Sequence, residues 1–287
     1  MKFRPRRSAL YIPGSNPRAL EKARSLPADV LILDLEDSVA PEAKAEARAN
    51  VLRAVAEAGF GPREVVVRVN GLDTAWGRHD VAAFAPTRAD AILMPKVSSR
   101  ADVLATRAAL GSDSACAIWA MMETPAAMLA AADIAAARAE VPAFAVMVMG
   151  TNDLAKDTRA RLLPGRAVFQ SWLATCLIAA RSTGLDILDG VFNDLDNDAG
   201  FEAECGQGSD MGFDGKTLVH PRQIAPCNRA FSPSPDELAW AARIADLFEQ
   251  PEHQGLGVVR VDGRMVERLH SEMARRVLAV GRAGSAT

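Results

Sequence analysis

The feature that most constrains the fold of this chain is a regular alternation between short apolar runs and longer helical segments. Each run has four to seven residues and is followed by glycine or polar residues. The eight runs cover residues 9–12, 30–33, 65–69, 91–94, 116–122, 144–149, 185–188 and 216–219. The clearest helical segments between them cover residues 41–58, 99–110, 125–138 and 166–183. Because a helix between two strands returns the chain to the same end of the sheet, this alternation predicts parallel strands.

Eight such units predict an α/β fold in which the strands close into a (β/α)8 TIM barrel; an open, doubly wound sheet is the alternative. Polar residues follow nearly every run, which favours a barrel with one shared mouth. The pattern changes after residue 221, where we predict a helix over 235–249, a strand over 258–261 and a helix over 265–280. We therefore predict a barrel domain over 1–230 and a C-terminal lid or oligomerisation segment over 231–287.

Composition excludes several classes of protein. The net charge of −3 does not favour a nucleic-acid partner. No apolar stretch approaches the roughly 20 residues of a membrane span, and the N-terminal apolar run is too short for a signal peptide. The four cysteines are scattered without a CxxC pair, as is typical of reduced thiols. We therefore expect a cytoplasmic enzyme with no membrane partner.

Glu123 and Asp153 follow two neighbouring strands of the predicted barrel. Taken singly, Glu123 fits an acidic residue in the first turn of a helix and Asp153 fits a helix N-cap. Taken together, two carboxylates on adjacent strands indicate a site for Mg²⁺, which usually binds one or two carboxylates and retains waters. The four histidines show no paired spacing, so a transition-metal site is not favoured.

Arg68 lies within the otherwise apolar run at 65–69 and needs an anion if it is buried. The anion is either a carboxylate of the protein, such as Glu36 or Asp37, or a substrate carboxylate that takes two parallel hydrogen bonds. Lys96 could form a Schiff base, but the carboxylate pair favours an electrostatic or structural role.

The N-terminal region contains a group of cationic residues near the end of the first strand. They form either a solvated face or a site for a phosphate-bearing ligand such as a nucleotide-tailed thioester. These residues are Arg4, Arg6, Arg7, Arg18 and Lys22.

Seven short stretches, in this order, resemble the citrate lyase β-subunit-like proteins of the HpcH/HpaI aldolase superfamily, which include malyl-CoA and citramalyl-CoA lyases. The stretches are RSALYIPG (7–14), DLEDSV (34–39), VRVNG (67–71), MPKV (94–97), ETP (123–125), GTNDL (150–154) and GKTLVHP (215–221). The resemblance implies a TIM barrel and a Mg²⁺ ion, or alternatively Mn²⁺, held by Glu123 and Asp153.

The same resemblance implies roles for further residues. Glu36 and Asp37 would support the site and Arg68 would bind the keto-acid end of the substrate. CoA would lie near Arg7, Pro13 and Arg18.

Members of this family usually carry an acidic residue after a DGxM turn in the C-terminal segment, and it reaches the active site of a neighbouring subunit. The pattern is typically DGxMID, whereas this chain has DGRMVE over 262–267. Glu267 therefore stands where Asp is usual, with a side chain that is one methylene longer. The resemblance also implies a homo-oligomer, with a trimer favoured.

The function expected from these observations is a Mg²⁺-dependent carbon–carbon lyase. It would cleave or form a 3-hydroxyacyl-CoA such as malyl-CoA or citramalyl-CoA, with acetyl-CoA and a 2-keto acid as the other reactants. Three alternatives stay open: a malyl-CoA-type thioesterase, a citryl lyase β-subunit that depends on a carrier protein, and an aldolase that acts without CoA.

Overall fold

The protein, described by a computed structural model over residues 4–284, contains a closed barrel of eight parallel strands, β1 to β8, in sequence order. The first strand pairs with the last, so the sheet has no edge. The strands are β1 (Ser8–Pro13), β2 (Val30–Asp34), β3 (Glu64–Arg68), β4 (Ala91–Met94), β5 (Ala117–Met122), β6 (Phe144–Met149), β7 (Asp186–Asp189) and β8 (Gly215–Leu218). The predicted (β/α)8 barrel is confirmed, and the open-sheet alternative is wrong because β1 and β8 are paired.

The strands are apolar on both faces because side chains fill the barrel on the inside and helices cover it on the outside. Alternate residues such as Val30 and Ile32 belong to one buried interior cluster that also includes Trp119. The residue between them, Leu31, is also fully buried. Each fully buried aliphatic side chain contributes about 1.5–3 kcal/mol through burial, so the strands need no alternation of apolar and polar residues.

Nine α-helices lie between residues 17 and 230 of the described chain. They are α1 (Pro17–Ala23), α2 (Lys44–Glu57), α3 (Gly77–Phe84), α4 (Arg100–Leu110), α5 (Pro125–Ala136), α6 (Thr151–Thr158), α7 (Gln170–Thr183), α8 (Asp198–Met211) and α9 (Ile224–Ala230). The helix predicted from residue 166 begins only at Gln170. Helix α8 was missed because it contains three glycines, which have low helix propensity but are tolerated where the helix packs on the barrel.

The chain divides into two compact units, and the larger one spans Arg6–Asn228. The described residues from Arg229 onward form most of the other unit. It contains α10 (Pro235–Ile244), β9 (Val258–Val261), β10 (Arg264–Glu267) and α11 (Arg268–Gly284). This unit has its own buried apolar cluster.

The predicted helix over 265–280 is wrong at its start. Residues 264–267 form an antiparallel hairpin with β9, and α11 begins only at Arg268. Asp262 and Gly263 both have positive φ angles, 49° and 81°, as a two-residue type I′ turn requires. The Asp-Gly turn therefore determines the structure of residues 264–267, although their sequence pattern favours a helix.

No helix within residues 4–284 is long and apolar enough to cross a membrane.

Candidate active site

The C-terminal ends of the strands surround a cavity of about 350 Å³ in the barrel unit. Its floor includes Met121 and Met149, and charged side chains line its edge. The charged lining residues are Asp34, Asp37, Arg68, Glu123 and Asp153. In barrels of this kind the active site forms at this face, because each strand presents its following loop there.

Arg68 binds a carboxylate that the sequence analysis did not assign to it. Its Nε and Nη2 donate to the two carboxylate oxygens of Asp34 at 2.6 and 2.7 Å. Asp34 ends β2 and is the neighbour of Arg68 in the register between β2 and β3. The two-bond edge of the guanidinium is thus occupied by the protein itself, and the register of the strands is the signal that could have revealed it.

Glu36 and Asp37 also contact Arg68. The Nη1 atom of Arg68 lies 3.0 Å from Glu36 Oε2 and 3.4 Å from Asp37 Oδ2. Burial, together with the charges of Asp37 and Asp34, raises the pKa of Glu36 to about 7 against the opposing charge of Arg68. Burial opposes ionisation of Asp34 too, but Arg68 outweighs it and lowers the pKa of Asp34 below its ordinary value.

Glu123 is 2% exposed and follows β5 directly. Thr124, not Glu123, caps the following helix by accepting a hydrogen bond from the N–H of Ala127, so the first-turn interpretation of Glu123 does not hold. Its Oε1 accepts a hydrogen bond from the backbone N–H of Lys96 at 2.8 Å. Burial raises the pKa of Glu123 to about 8, against that hydrogen bond and with the help of the Glu36 and Asp153 charges.

Gly150 lets β6 approach Glu123. A Cβ atom at this position would lie 2.4 Å from both the Cβ and the Oε2 of Glu123, which no real contact permits. Glycine is therefore required here by the close packing of the Glu123 side chain, a role that the sequence analysis did not foresee.

Asp153 lies in the first turn of α6, where the helix dipole favours a negative charge. Its Oδ1 is 3.9 Å from the Nζ of Lys96. No group of three or more His, Cys, Asp or Glu side chains within residues 4–284 is arranged to hold a metal ion. Glu123 and Asp153 form a smaller set, of the size Mg²⁺ uses when waters and substrate oxygens complete its shell.

The three residues predicted to bind CoA do not lie together. Pro13 lines the cavity, and Arg18 is exposed in α1, which begins after β1 at the same end of the barrel. Arg7 precedes β1 and therefore lies at the opposite end, because a six-residue strand spans about 20 Å. Its Nε and Nη2 donate to Asp29 at 2.8 Å each, within the buried interior.

The predicted N-terminal cationic group is divided in the same way. Arg6 pairs with Glu64 and Asp186, and its guanidinium carbon lies 5.3 Å from the centre of the Trp119 ring. Arg6 and Arg7 thus close the N-terminal end of the barrel, while Arg18 and Lys22 are exposed on α1. These residues are close in sequence, but the strand that was predicted over 9–12 separates Arg6 and Arg7 from Arg18 and Lys22.

Glu267, the predicted catalytic residue of the C-terminal segment, lies in the other unit. It ends β10, its side chain is exposed, and its backbone N–H donates to His270 Nδ1 at 2.9 Å.

The chain is similar to a known family, to characterised enzymes and to solved structures. Residues 7–221 match the family model described as HpcH/HpaI aldolase/citrate lyase. A (3S)-malyl-CoA thioesterase of Cereibacter sphaeroides is 54% identical over 96% of this chain and 94% of its own. An L-malyl-CoA/beta-methylmalyl-CoA lyase of the same species is 34% identical over 92% of this chain and 91% of its own.

Among solved structures, protein CitE of Mycobacterium tuberculosis in complex with magnesium, acetoacetate and coenzyme A is similar. Its TM-score is 0.77, with 30% identity over 97% of this chain and 98% of that one.

These findings correct the expected function. The carbon–carbon lyase interpretation is wrong, because the thioesterase matches at 54% identity and the lyase at only 34%. The expectation of a lyase rested on motifs that the thioesterase and lyase members of the family share. The family resemblance itself is confirmed: the chain belongs to the HpcH/HpaI aldolase/citrate lyase family of enzymes.

Proposed function

We propose that this protein hydrolyses the thioester bond of a malyl-CoA-type 3-hydroxyacyl-CoA and releases free CoA and a hydroxy dicarboxylate such as malate. The observation that carries the proposal is the 54% identity to a (3S)-malyl-CoA thioesterase over almost the whole of both chains. The cavity at the barrel mouth fits such a substrate, since its lining combines carboxylates, a buried guanidinium and apolar side chains.

A divalent cation, Mg²⁺ or Mn²⁺, fits the electrostatics of this cavity. Among the described residues, five carboxylates face two cationic side chains, those of Arg68 and Lys96. The carboxylates are those of Asp34, Glu36, Asp37, Glu123 and Asp153. Burial and mutual repulsion raise the pKa of Glu123, as expected of a carboxylate that lacks a counter-ion. Glu123 and Asp153 would hold the cation, which when bound supplies positive charge to substrate oxygens.

Arg68 would attract the free carboxylate of the acyl group. Its guanidinium lies 4.7 Å from the centre of the Tyr11 ring and is fixed by Asp34, so its charge is held at one place in the cavity. An arginine that is already oriented loses little freedom when an anion binds.

Hydrolysis requires a water molecule and a group that accepts its proton. Asp37 lines the cavity and its side chain is 56% exposed, so it can contact both solvent and substrate. Glu36 accepts a hydrogen bond from the Asp37 backbone N–H at 3.1 Å and would hold that residue in place. We assign the proton-accepting role to Asp37 and the positioning role to Glu36.

The nucleotide part of CoA would lie near Pro13 and Arg18, outside the strand ends. Arg7 is not included, because its guanidinium binds Asp29 at the other end of the barrel. The unit after Arg229 would serve as a lid and oligomerisation segment, with Glu267 acting at the site of a second copy in a trimer. A Glu267→Gln variant should then lose activity while keeping the mass of the oligomer in light scattering, and full activity would contradict this role.

The test is a product assay with malyl-CoA and Mg²⁺, with EDTA as the metal-free arm. Mass spectrometry should find free CoA and malate, and a thiol reagent should detect the CoA as it forms. Acetyl-CoA and glyoxylate as the products would overturn the proposal. Full activity in EDTA would be consistent with a hydrolase and would contradict the proposed requirement for a metal ion.

A further inference from the structure

Lys96 has a backbone conformation that lysine rarely adopts. Its φ angle is +52°, in the left-handed region that glycine tolerates and that is strained for other residues. This conformation has one evident consequence, since it directs the Lys96 N–H to Glu123 Oε1. Glycine could donate the same hydrogen bond without the strain, so the bond does not explain why the residue is lysine.

The Lys96 side chain is directed to the second carboxylate of the proposed cation site. Its Nζ lies 3.9 Å from Asp153 Oδ1 and the side chain is 53% exposed. Within residues 4–284 this is its one ion pair. The distance exceeds that of a hydrogen bond, so the ammonium is attracted to Asp153 without being fixed to it.

Two other lysines of the barrel are held quite differently. Lys44 donates from Nζ to the carbonyl oxygens of Leu35 and Glu36 at 2.9 and 2.8 Å, and is buried. Lys216 is fully buried and donates to Asp189 and Glu204 at 3.0 and 2.7 Å. Both are fixed by two short contacts, whereas Lys96 Nζ can leave its partner.

We propose that Lys96 is a tethered counter-ion of the cation site, a positioning residue whose ammonium stands beside Asp153 until a divalent cation replaces it. One residue then contacts both carboxylates: its backbone N–H orients Glu123 and its side chain neutralises Asp153. The ammonium lowers the affinity of the site for a metal ion and moves toward the mouth when the ion binds. The inference rests on the proposed function for the assignment of Glu123 and Asp153 as metal ligands.

The experiment is a Mn²⁺ titration of the full chain at low ionic strength, with free Mn²⁺ measured by electron paramagnetic resonance. Lys96→Met removes the charge and keeps the length of the side chain, and Lys96→Arg keeps the charge. The matched control is Lys156→Met, which removes an exposed positive charge from α6, the helix of Asp153. Because an exposed ion pair contributes little, Lys96→Met should bind Mn²⁺ about twofold to fivefold more tightly, and the other two variants should match the wild type.

An unchanged or weaker Mn²⁺ affinity in Lys96→Met would overturn the inference, and so would equal tightening in Lys156→Met. A merely structural role would change thermal stability and leave the Mn²⁺ affinity of the folded protein unchanged. Failure of the wild type to bind Mn²⁺ would overturn the metal site together with the inference. The product assay distinguishes that result from failure of the hydrolase assignment, because it identifies the products whether or not Lys96 affects the metal.

Discussion

Two ionic clusters lie at the ends of the barrel strands, and they differ in charge balance. The Asp189 cluster pairs two cations, Arg166 and Lys216, with two carboxylates, Asp189 and Glu204, at distances of 2.7 to 3.5 Å. The Arg68 cluster consists of Arg68, Asp34, Glu36, Asp37 and the nearby Glu123. It sets four carboxylates against one guanidinium.

The pKa values follow this balance. Burial opposes ionisation of Asp189, but Lys216 and Arg166 outweigh it and lower the pKa of Asp189. Burial raises the pKa of Glu36 to about 7 and that of Glu123 to about 8, since the one guanidinium cannot compensate both. Removing one member of a balanced buried cluster leaves an uncompensated charge and destabilises the fold, whereas an unbalanced cluster leaves negative charge for a ligand to neutralise.

The largest expected effect is a loss of stability when one charge is removed from the Asp189 cluster. Lys216→Met leaves Asp189 and Glu204 with Arg166 alone, which should lower the free energy of unfolding by about 3–5 kcal/mol. Urea denaturation measures it, with Lys156→Met as an exposed control that should change it by less than about 0.5 kcal/mol. Equal free energies of unfolding for Lys216→Met and Lys156→Met would mean that the charge of Lys216 is not needed to compensate Asp189 and Glu204.

The same kind of change in the unbalanced cluster should affect activity instead. Glu123→Gln should reduce turnover of malyl-CoA by about 10²–10³-fold, because the charge that would hold the cation is lost. The melting temperature should not fall, since a carboxylate with a raised pKa is replaced by a neutral group. Glu46→Gln, exposed on α2, is the matched control. A Glu123→Gln protein that is destabilised but active would show that Glu123 contributes to stability and not to activity.

Gly150 tests the geometry of the unbalanced cluster without changing its charge. Gly150→Ala should displace Glu123 and weaken Mn²⁺ binding by about 10–100-fold, as changes to groups that support a metal ligand do. Its φ of −104° suits alanine, so only the contact with Glu123 is at issue. Gly206→Ala, where a Cβ would meet nothing within 4 Å, is the control and should leave Mn²⁺ affinity unchanged. Equal Mn²⁺ affinity in both variants would show that Glu123 tolerates displacement.

The smallest effect is a pH dependence of opposite sign in the two clusters. The folded-state pKa values of Glu36 and Glu123, about 7 and 8, exceed the usual 4.5. At pH values between 4.5 and about 8, the folded metal-free protein therefore binds more protons than the unfolded chain. Its stability should therefore decrease as pH rises from about 5 to 8. Asp189, with a lowered pKa, contributes stability that is lost only as pH falls below about 4.

Melting curves of wild type and Glu36→Gln at several pH values check this sign. The variant should have the higher melting temperature at pH 8.5, by about 2–4 °C, and the difference should vanish near pH 5. A wild-type advantage at pH 8.5 would contradict the raised pKa of Glu36.

The strands were predictable because period and composition report burial directly. The limits of β4, β6 and β9 match the predicted runs, and each limit of the other barrel strands lies within one residue of its prediction. Five helices were not predicted, because short or glycine-containing segments form helices here through packing on the barrel. They are α1, α3, α6, α8 and α9. In the C-terminal unit β9 was predicted, and only β10 was missed, because its residues were assigned to the helix that begins at Arg268.

The site was predictable to the extent that parallel strands share one edge. The five residues lie at the ends of four strands and meet at one mouth, as the alternation of strands and helices requires: Glu36 and Asp37 follow β2, Arg68 ends β3, Glu123 follows β5 and Asp153 lies after β6. Arg7 does not join them, since it precedes β1 and so lies at the N-terminal end of the barrel strands, as the predicted strand over 9–12 already implied.

The sequence by itself determined the barrel, the family and the side chains at its mouth, because hydrophobic periodicity and the order of short motifs are local properties. Only the tertiary structure decided which charges are compensated. That Arg68 binds Asp34, that Glu123 lies against Gly150 and that Lys96 contacts two carboxylates depend on strand register and burial. Electrostatic energies vary with distance and with exclusion of water, and the chain acquires both only when the barrel closes.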